Sequence, residues 1–223
     1  MEDLLIFSYC YCFCFSTGNK KHTAHNVKST PSKIREFFKI VDFWKIATLY
    51  IVFGFSYIIY VTFFVSSILF KYNLLSSISG EVWALLGFCS IFSGFIFGLL
   101  ADKFGAYTSL ISVFFLQGCA HLILALPVSV DFIWFSAILF GITVWSIPAL
   151  VTLLTSLYFD VKKTAQVLAL VTLIFSVAQA LGPIVAGLIK DNTNSFDGVF
   201  YLTAFLCFFA MYSSYLFSKQ AKP

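Results

Sequence analysis

The chain has 223 residues, of which 60% are hydrophobic and 11% charged, with a formal net charge of +4. Soluble domains carry about 45–50% apolar and about 25% charged residues, so this composition excludes a water-facing surface of ordinary extent. Phenylalanine alone fills 29 positions, and the medium suited to such a chain is lipid.

The first element in chain order is an apolar stretch at 4–16 (LLIFSYCYCFCFS), 13 residues long. That is short for a membrane span. Glu2 and Asp3 stand where a secretory signal needs basic residues. Cys10, Cys12 and Cys14 lack the spacing of a zinc pair and read as apolar filler, with palmitoylation and metal binding as alternatives. Residues 17–45 are polar and basic, carrying Lys20, Lys21, Lys28, Lys33, Arg35, Lys39 and Lys45. Within them, 30–38 (TPSKIREFF) fits either a short amphipathic helix on the membrane surface or a solvated linker.

Six apolar segments follow, expected as spanning helices near 46–70, 81–101, 107–127, 132–158, 164–189 and 198–217. No charged residue interrupts the intervals Lys45–Lys71, Lys103–Asp131, Asp131–Asp160 and Lys163–Lys190, each long enough for the ~20 residues that cross a ~30 Å hydrocarbon core. Gly, Asn, Asp and Pro mark the short connections, and 218–223 form a polar tail. The expected domain plan is a segment 1–16, a basic linker 17–45, an all-α six-helix bundle 46–217 and the tail. Residues 17–45, 102–106, 159–163 and the tail share one side and hold twelve Lys or Arg, against only Lys71 and Lys190 on the other. Basic loops favour the cytoplasm. A multi-pass protein of the plasma (inner) membrane is therefore expected, with linker and carboxyl terminus inside.

Two segments recur at nearly constant offset. Phe53-Gly54 matches Phe140-Gly141, 87 positions later, and GLLAD at 98–102 matches GLIKD at 187–191, 89 positions later. The pattern is that of two three-helix units, inverted because three is odd, as in each half of a major facilitator transporter.

The motif GLLADKFG at 98–105 places Gly98, Asp102, Lys103 and Gly105 at a cytoplasmic turn. The glycines suit close helix approach and a tight reversal, and the charges suit the membrane boundary. It resembles the major facilitator signature Gly-x-x-x-Asp-Arg/Lys-x-Gly-Arg-Arg/Lys, departing at Ala106 and Tyr107, where the family often has basic residues. In the fifth span Thr172, Ser176, Gln179 and Pro183 fall on one helical face, which fits either cavity lining or a helix contact. Gln179 is the candidate for contacting a polar substrate, since an amide in hydrocarbon needs a partner. Tyr57 and Trp145 are candidate aromatic walls or, alternatively, lipid-facing. Gly94 with Gly98, Gly182 and Gly187 are expected to pack helices, and Pro148 and Pro183 to kink them. His121 is the one titratable imidazole within a span, read as packed or surface-reaching rather than as a coupling group. Cys89, Cys119 and Cys207 read as small apolar residues.

The segments WKIATLYIVFGFSYIIYVTFFVSSI, LGFCSIFSGFIFGLLADKFG and FSVAQALGPIVAGLIKDNTNSF resemble the carboxyl-terminal half of a major facilitator protein, most similar to the YbfB/YjiJ branch, over about 44–217. The resemblance implies that the spans correspond to helices seven to twelve of a twelve-helix transporter, with 17–45 as the central linker and 4–16 as a remnant of helix six. It also implies a cavity between two halves, lined here by the first, second, fourth and fifth spans. The expected function is transport of an unidentified small molecule by alternating access, requiring a complementary six-helix half or a second copy. The alternative is an inactive fragment or a membrane interaction subunit. No metallohydrolase His-x-x-x-His pair or Gly-x-Ser-x-Gly elbow appears, so no enzyme, metal or cofactor is expected. The linker's basic charge suits anionic lipid rather than nucleic acid.

Overall fold

A computed structural model describes residues 34–72 and 76–220. The apolar start at 4–16, residues 17–33 of the linker and positions 221–223 lie outside the described residues. The described helices are α1 (Ile34–Phe37), α2 (Val41–Tyr72), α3 (Ser76–Phe104), α4 (Ala106–Ala125), α5 (Asp131–Gly141), α6 (Ser146–Tyr158), α7 (Val161–Thr193) and α8 (Asp197–Gln220). Six spans long and apolar enough to cross a membrane result, with α5 and α6 together making the fourth. They extend up to five residues beyond the apolar windows at several ends, because backbone hydrogen bonding continues into the polar boundary.

The turns follow local chemistry. Gly105 has φ +89° between α3 and α4, a conformation that costs a Cβ-bearing residue strain. Asn194 ends α7 in the left-handed region at φ 51°, where Asn is tolerated better than most residues. Short α1 does not lie out on the surface with all its side chains. Phe37 is buried, its ring 6.3 Å from Phe159.

Proline acts differently in the two spans that contain it. Pro148 lacks the N–H that would reach the Val144 carbonyl, and the fourth span breaks just before it, through Ile142–Trp145. The chain crosses the break on tightened bonds, Thr143 N–H to Phe140 O at 3.1 Å and Ser146 N–H to Thr143 O at 3.2 Å. By contrast, α7 runs on as helix through Pro183, where the sequence suggests a kink. The residue before a proline is restricted by its Cβ; before Pro183 stands Gly182, before Pro148 the branched Ile147.

Packing repeats with the sequence. The strongest pairings are α4 with α8, α2 with α7, and α3 with α5 and α6. Exchanging the two three-helix units maps the second pairing onto the third and the first onto itself, so the bundle is two inverted repeats, the fold of half a major facilitator transporter. Atomic contacts obey the same exchange. A Cβ at Gly54 would stand 2.9 Å from the Phe175 carbonyl oxygen, and one at Gly141 would stand 2.7 Å from that of Leu86. Gly54 and Gly141 are 87 positions apart and Leu86 and Phe175 are 89 apart, the offsets of the sequence repeat. Both glycines therefore exist to let one helix backbone touch another.

The interior forms two apolar clusters along the bundle. One gathers Phe43, Ile46, Leu110, Phe114, Leu150 and Phe159, the other Tyr60, Phe64, Ile133, Phe140 and Phe200. Tyr57 packs against both.

Candidate functional site

The break in the fourth span frees backbone groups in mid-membrane, where no water satisfies them. The Trp145 N–H donates to Ser93 Oγ of α3 at 3.0 Å, and Ser93 is fully buried. The Thr143 hydroxyl donates back to Leu139 O and Phe140 O, each at 2.9 Å, and Ser146 Oγ to Thr143 O at 2.5 Å. The repeat explains the placement. Ser93 and Gly182 are 89 positions apart, and Ile58 and Trp145 are 87 apart. Where Ser93 holds the break at Trp145, a Cβ at Gly182 would meet Ile58 Cγ2 at 2.5 Å and Phe55 O at 3.2 Å.

Beside the break, Trp145 is 52% exposed and its ring centre lies 6.3 Å from that of half-buried Tyr57. An aromatic chain leads on from there: Tyr57 to Phe53 at 5.3 Å, Phe53 to Phe175 at 5.8 Å, and Phe175 stacked on Tyr50 at 4.3 Å. Phe175 sits between the exposed Thr172 and Ser176 on α7. The Tyr50 hydroxyl reaches the Thr172 side chain, while Ser176 Oγ donates to Thr172 O at 2.9 Å. Gln179, half-buried, forms no hydrogen bond with another described residue. The structure thus brings Tyr57 and Trp145 together directly, and joins them to Thr172 and Ser176 through Phe53 and Phe175.

The glycines sort into two groups. A Cβ at Gly182 would meet Ile58 and Phe55 of α2, whereas one at Gly94, Gly98 or Gly187 would meet no atom within 4 Å. Within this bundle a side chain at any of the three would enter open space. At the GLLADKFG turn, Gly98 is half-buried, and Asp102, Lys103 and Gly105 are exposed. Ala106 and Tyr107 are buried instead of basic, with the Tyr107 ring 6.2 Å from Tyr158 and 6.3 Å from Phe217. Apolar packing closes that corner.

One arrangement escaped sequence reasoning. Lys71 Nζ donates to Leu124 O at 3.0 Å and Leu126 O at 2.8 Å, and pairs with Asp197 Oδ1 at 2.8 Å. It thereby ties the ends of α2, α4 and α8. His121 is fully buried. No group of His, Cys, Asp or Glu able to hold a metal occurs among the described residues.

Residues 10–214 match the family model described as uncharacterised MFS-type transporter YbfB. The chain belongs to that family. No curated protein matches it. The match begins well before the spans, takes in the whole linker 17–45, covers the first five spans and reaches position 214 in the sixth. Membership in the YbfB family carries a membrane transport role of the major facilitator type, with no catalysis, and the six apolar spans make the chain a multi-pass integral membrane protein in a lipid bilayer.

Proposed function

We propose that this chain forms the carboxyl-terminal six-helix half of a YbfB-type transporter. It moves an unidentified small molecule by alternating access against a second bundle, either a complementary half or another copy. The observation that carries the reading is the low burial of α3 and α7. Only 22% of each of these spans is buried, against 44% to 56% of the other four. The two helices are repeat equivalents, and both hold glycines open to approach, Gly94 and Gly98 on one and Gly187 on the other. Rocking of one bundle against another needs such close, backbone-level contacts.

In this reading the solute lies between Tyr57, Trp145, Thr172, Ser176 and Gln179. The broken fourth span offers backbone beside it, as interrupted helices do in transporters. The basic linker 17–45 and the tail face the cytoplasm of the plasma (inner) membrane, supported by the twelve-to-two distribution of Lys and Arg.

A test needs no known solute. With the native cysteines replaced by serine, W145C is treated with a membrane-impermeant maleimide in membrane vesicles of both orientations. Alternating access predicts labelling from either side when the second bundle is present. Labelling from one side only, or none, is the behaviour of an inactive fragment or interaction subunit and overturns the reading. Solute movement by purified monomers in liposomes would also contradict the need for a second bundle.

A further inference from the structure

The most unusual group in the interior is the imidazole of His121, wholly buried in α4. Its Nδ1 lies 2.8 Å from Gln117 O, one turn back on the same helix, and its Nε2 lies 3.3 Å from Ser56 O on α2. Both ring nitrogens therefore face carbonyl oxygens, which only accept. A neutral imidazole has one N–H and one lone pair, so it can satisfy a single carbonyl and must turn its lone pair on the other. An imidazolium donates to both.

Among the described residues no other side chain donates to those oxygens. Ser56 Oγ donates back along its own helix, to Val52 O at 2.8 Å and Phe53 O at 3.2 Å. Each carbonyl spends one lone pair on its helix ladder and keeps a second. The rings of Tyr60, Phe140 and Phe200 lie around the imidazole at 5.1, 5.8 and 6.3 Å, the first two edge-to-face. The titratable side chains set against it from the packed helices are Tyr60 of α2 and Cys207 of α8, whose thiol meets the Ser56 hydroxyl; α5 offers Phe140 and Ser136. The charged residues of these helices, Asp42, Lys45, Lys71, Asp131, Asp197 and Lys219, sit at their ends. One turn from His121, the buried Gln117 amide has no hydrogen-bond partner among the described residues on either atom, and such a group in an interior calls for an explanation.

We propose that His121 is an intramembrane proton-binding site, in which the imidazolium bridges the Gln117 and Ser56 carbonyls and clamps α2 to α4. Without the proton one nitrogen faces its carbonyl unbonded and the clamp loosens. The consequence reaches the candidate cavity in one residue, because Ser56 precedes Tyr57, and in one turn, because Tyr60 stacks on Phe140 at 3.7 Å. That link to solute movement rests on the transport reading; the proton site itself does not.

The chain carries two other histidines, His22 and His25. In an H22N/H25N background with 15N-labelled histidine, reconstituted in liposomes, only His121 reports. On acidification from about pH 8 to about pH 3, well below the range in which an exposed histidine changes charge, the resonance of the bare ring nitrogen should be lost and two N–H resonances remain. Amide exchange at residues 56–60 should slow in step, relative to H121Q at the same pH. A single neutral tautomer throughout overturns the proposal, as does titration of the ring with no change in α2. The measurement uses neither second bundle nor solute, so its outcome is independent of the W145C labelling.

Discussion

Gly54 and Gly94 sit in the middle of long helices of the same bundle, yet alanine should affect them in opposite directions. At Gly54 a Cβ would stand 2.9 Å from the Phe175 carbonyl and 2.7 Å from its ring. The ring can swing, but the carbonyl is fixed in α7, so α2 and α7 must separate by several tenths of an ångström. Overpacking of this kind costs about 1–3 kcal/mol. At Gly94 the added methyl meets nothing within 4 Å and removes the backbone freedom of glycine, a gain of up to about 1 kcal/mol. That propensity gain is common to both positions and cancels in the comparison, so G54A should be less stable than G94A by about 1–3 kcal/mol. At 1.4 kcal/mol per decade this is roughly a 5- to 150-fold difference in the unfolding equilibrium. Reversible unfolding of purified protein in mixed micelles, titrated with a denaturing detergent, reads it directly. Because Gly141 faces Leu86 O at 2.7 Å, G141A should fall with G54A. Equal midpoints for G54A, G141A and G94A would refute the repeat-based account of the packing.

Further outcomes follow from the two arrangements that hold helix ends and the break. K71M removes the donor to the carbonyls of Leu124 and Leu126 and strands Asp197. It should cost about 2 kcal/mol, and D197N less, since the carbonyl bonds survive; the same detergent titration checks the order. S93A takes the acceptor from the Trp145 N–H and should cost about 1–3 kcal/mol in this buried place, with faster hydrogen exchange at the Trp145 amide. P148A restores a donor opposite the Val144 carbonyl, and exchange across Ile142–Trp145 should slow as the two half-helices join.

The spans were legible because hydropathy reports the solvent, and a helix of this length without a charge belongs in hydrocarbon rather than in water. The repeat was legible too. Phe53-Gly54 and Phe140-Gly141 recur because each glycine must admit a neighbouring carbonyl, a demand that leaves a mark in sequence. Burial within the bundle was not legible. Helix α4 is apolar on all sides, so nothing in its periodicity separates the buried face bearing Gln117 and His121 from the face toward lipid. Nor does a glycine's position tell which neighbour it meets: within the bundle an added Cβ would meet another residue at Gly54, Gly118, Gly141, Gly182 and Gly198, and none at Gly94, Gly98 or Gly187. The break at Ile142–Trp145 depends on Ser93, 52 residues away, a partner that no local pattern announces. Lys71 read as a boundary charge because its carbonyl partners are backbone and carry no sequence signature.

The most direct test of the half-transporter account places a photo-cross-linking amino acid at Gly94, at Gly187, and at Phe205, which is 67% exposed on α8, in cells carrying the native membrane. The account predicts adducts with a six-helix bundle or a second copy, identified by mass spectrometry, from positions 94 and 187 and none from 205. Absence of any protein adduct at 94 and 187, or equal adducts at all three, would contradict it.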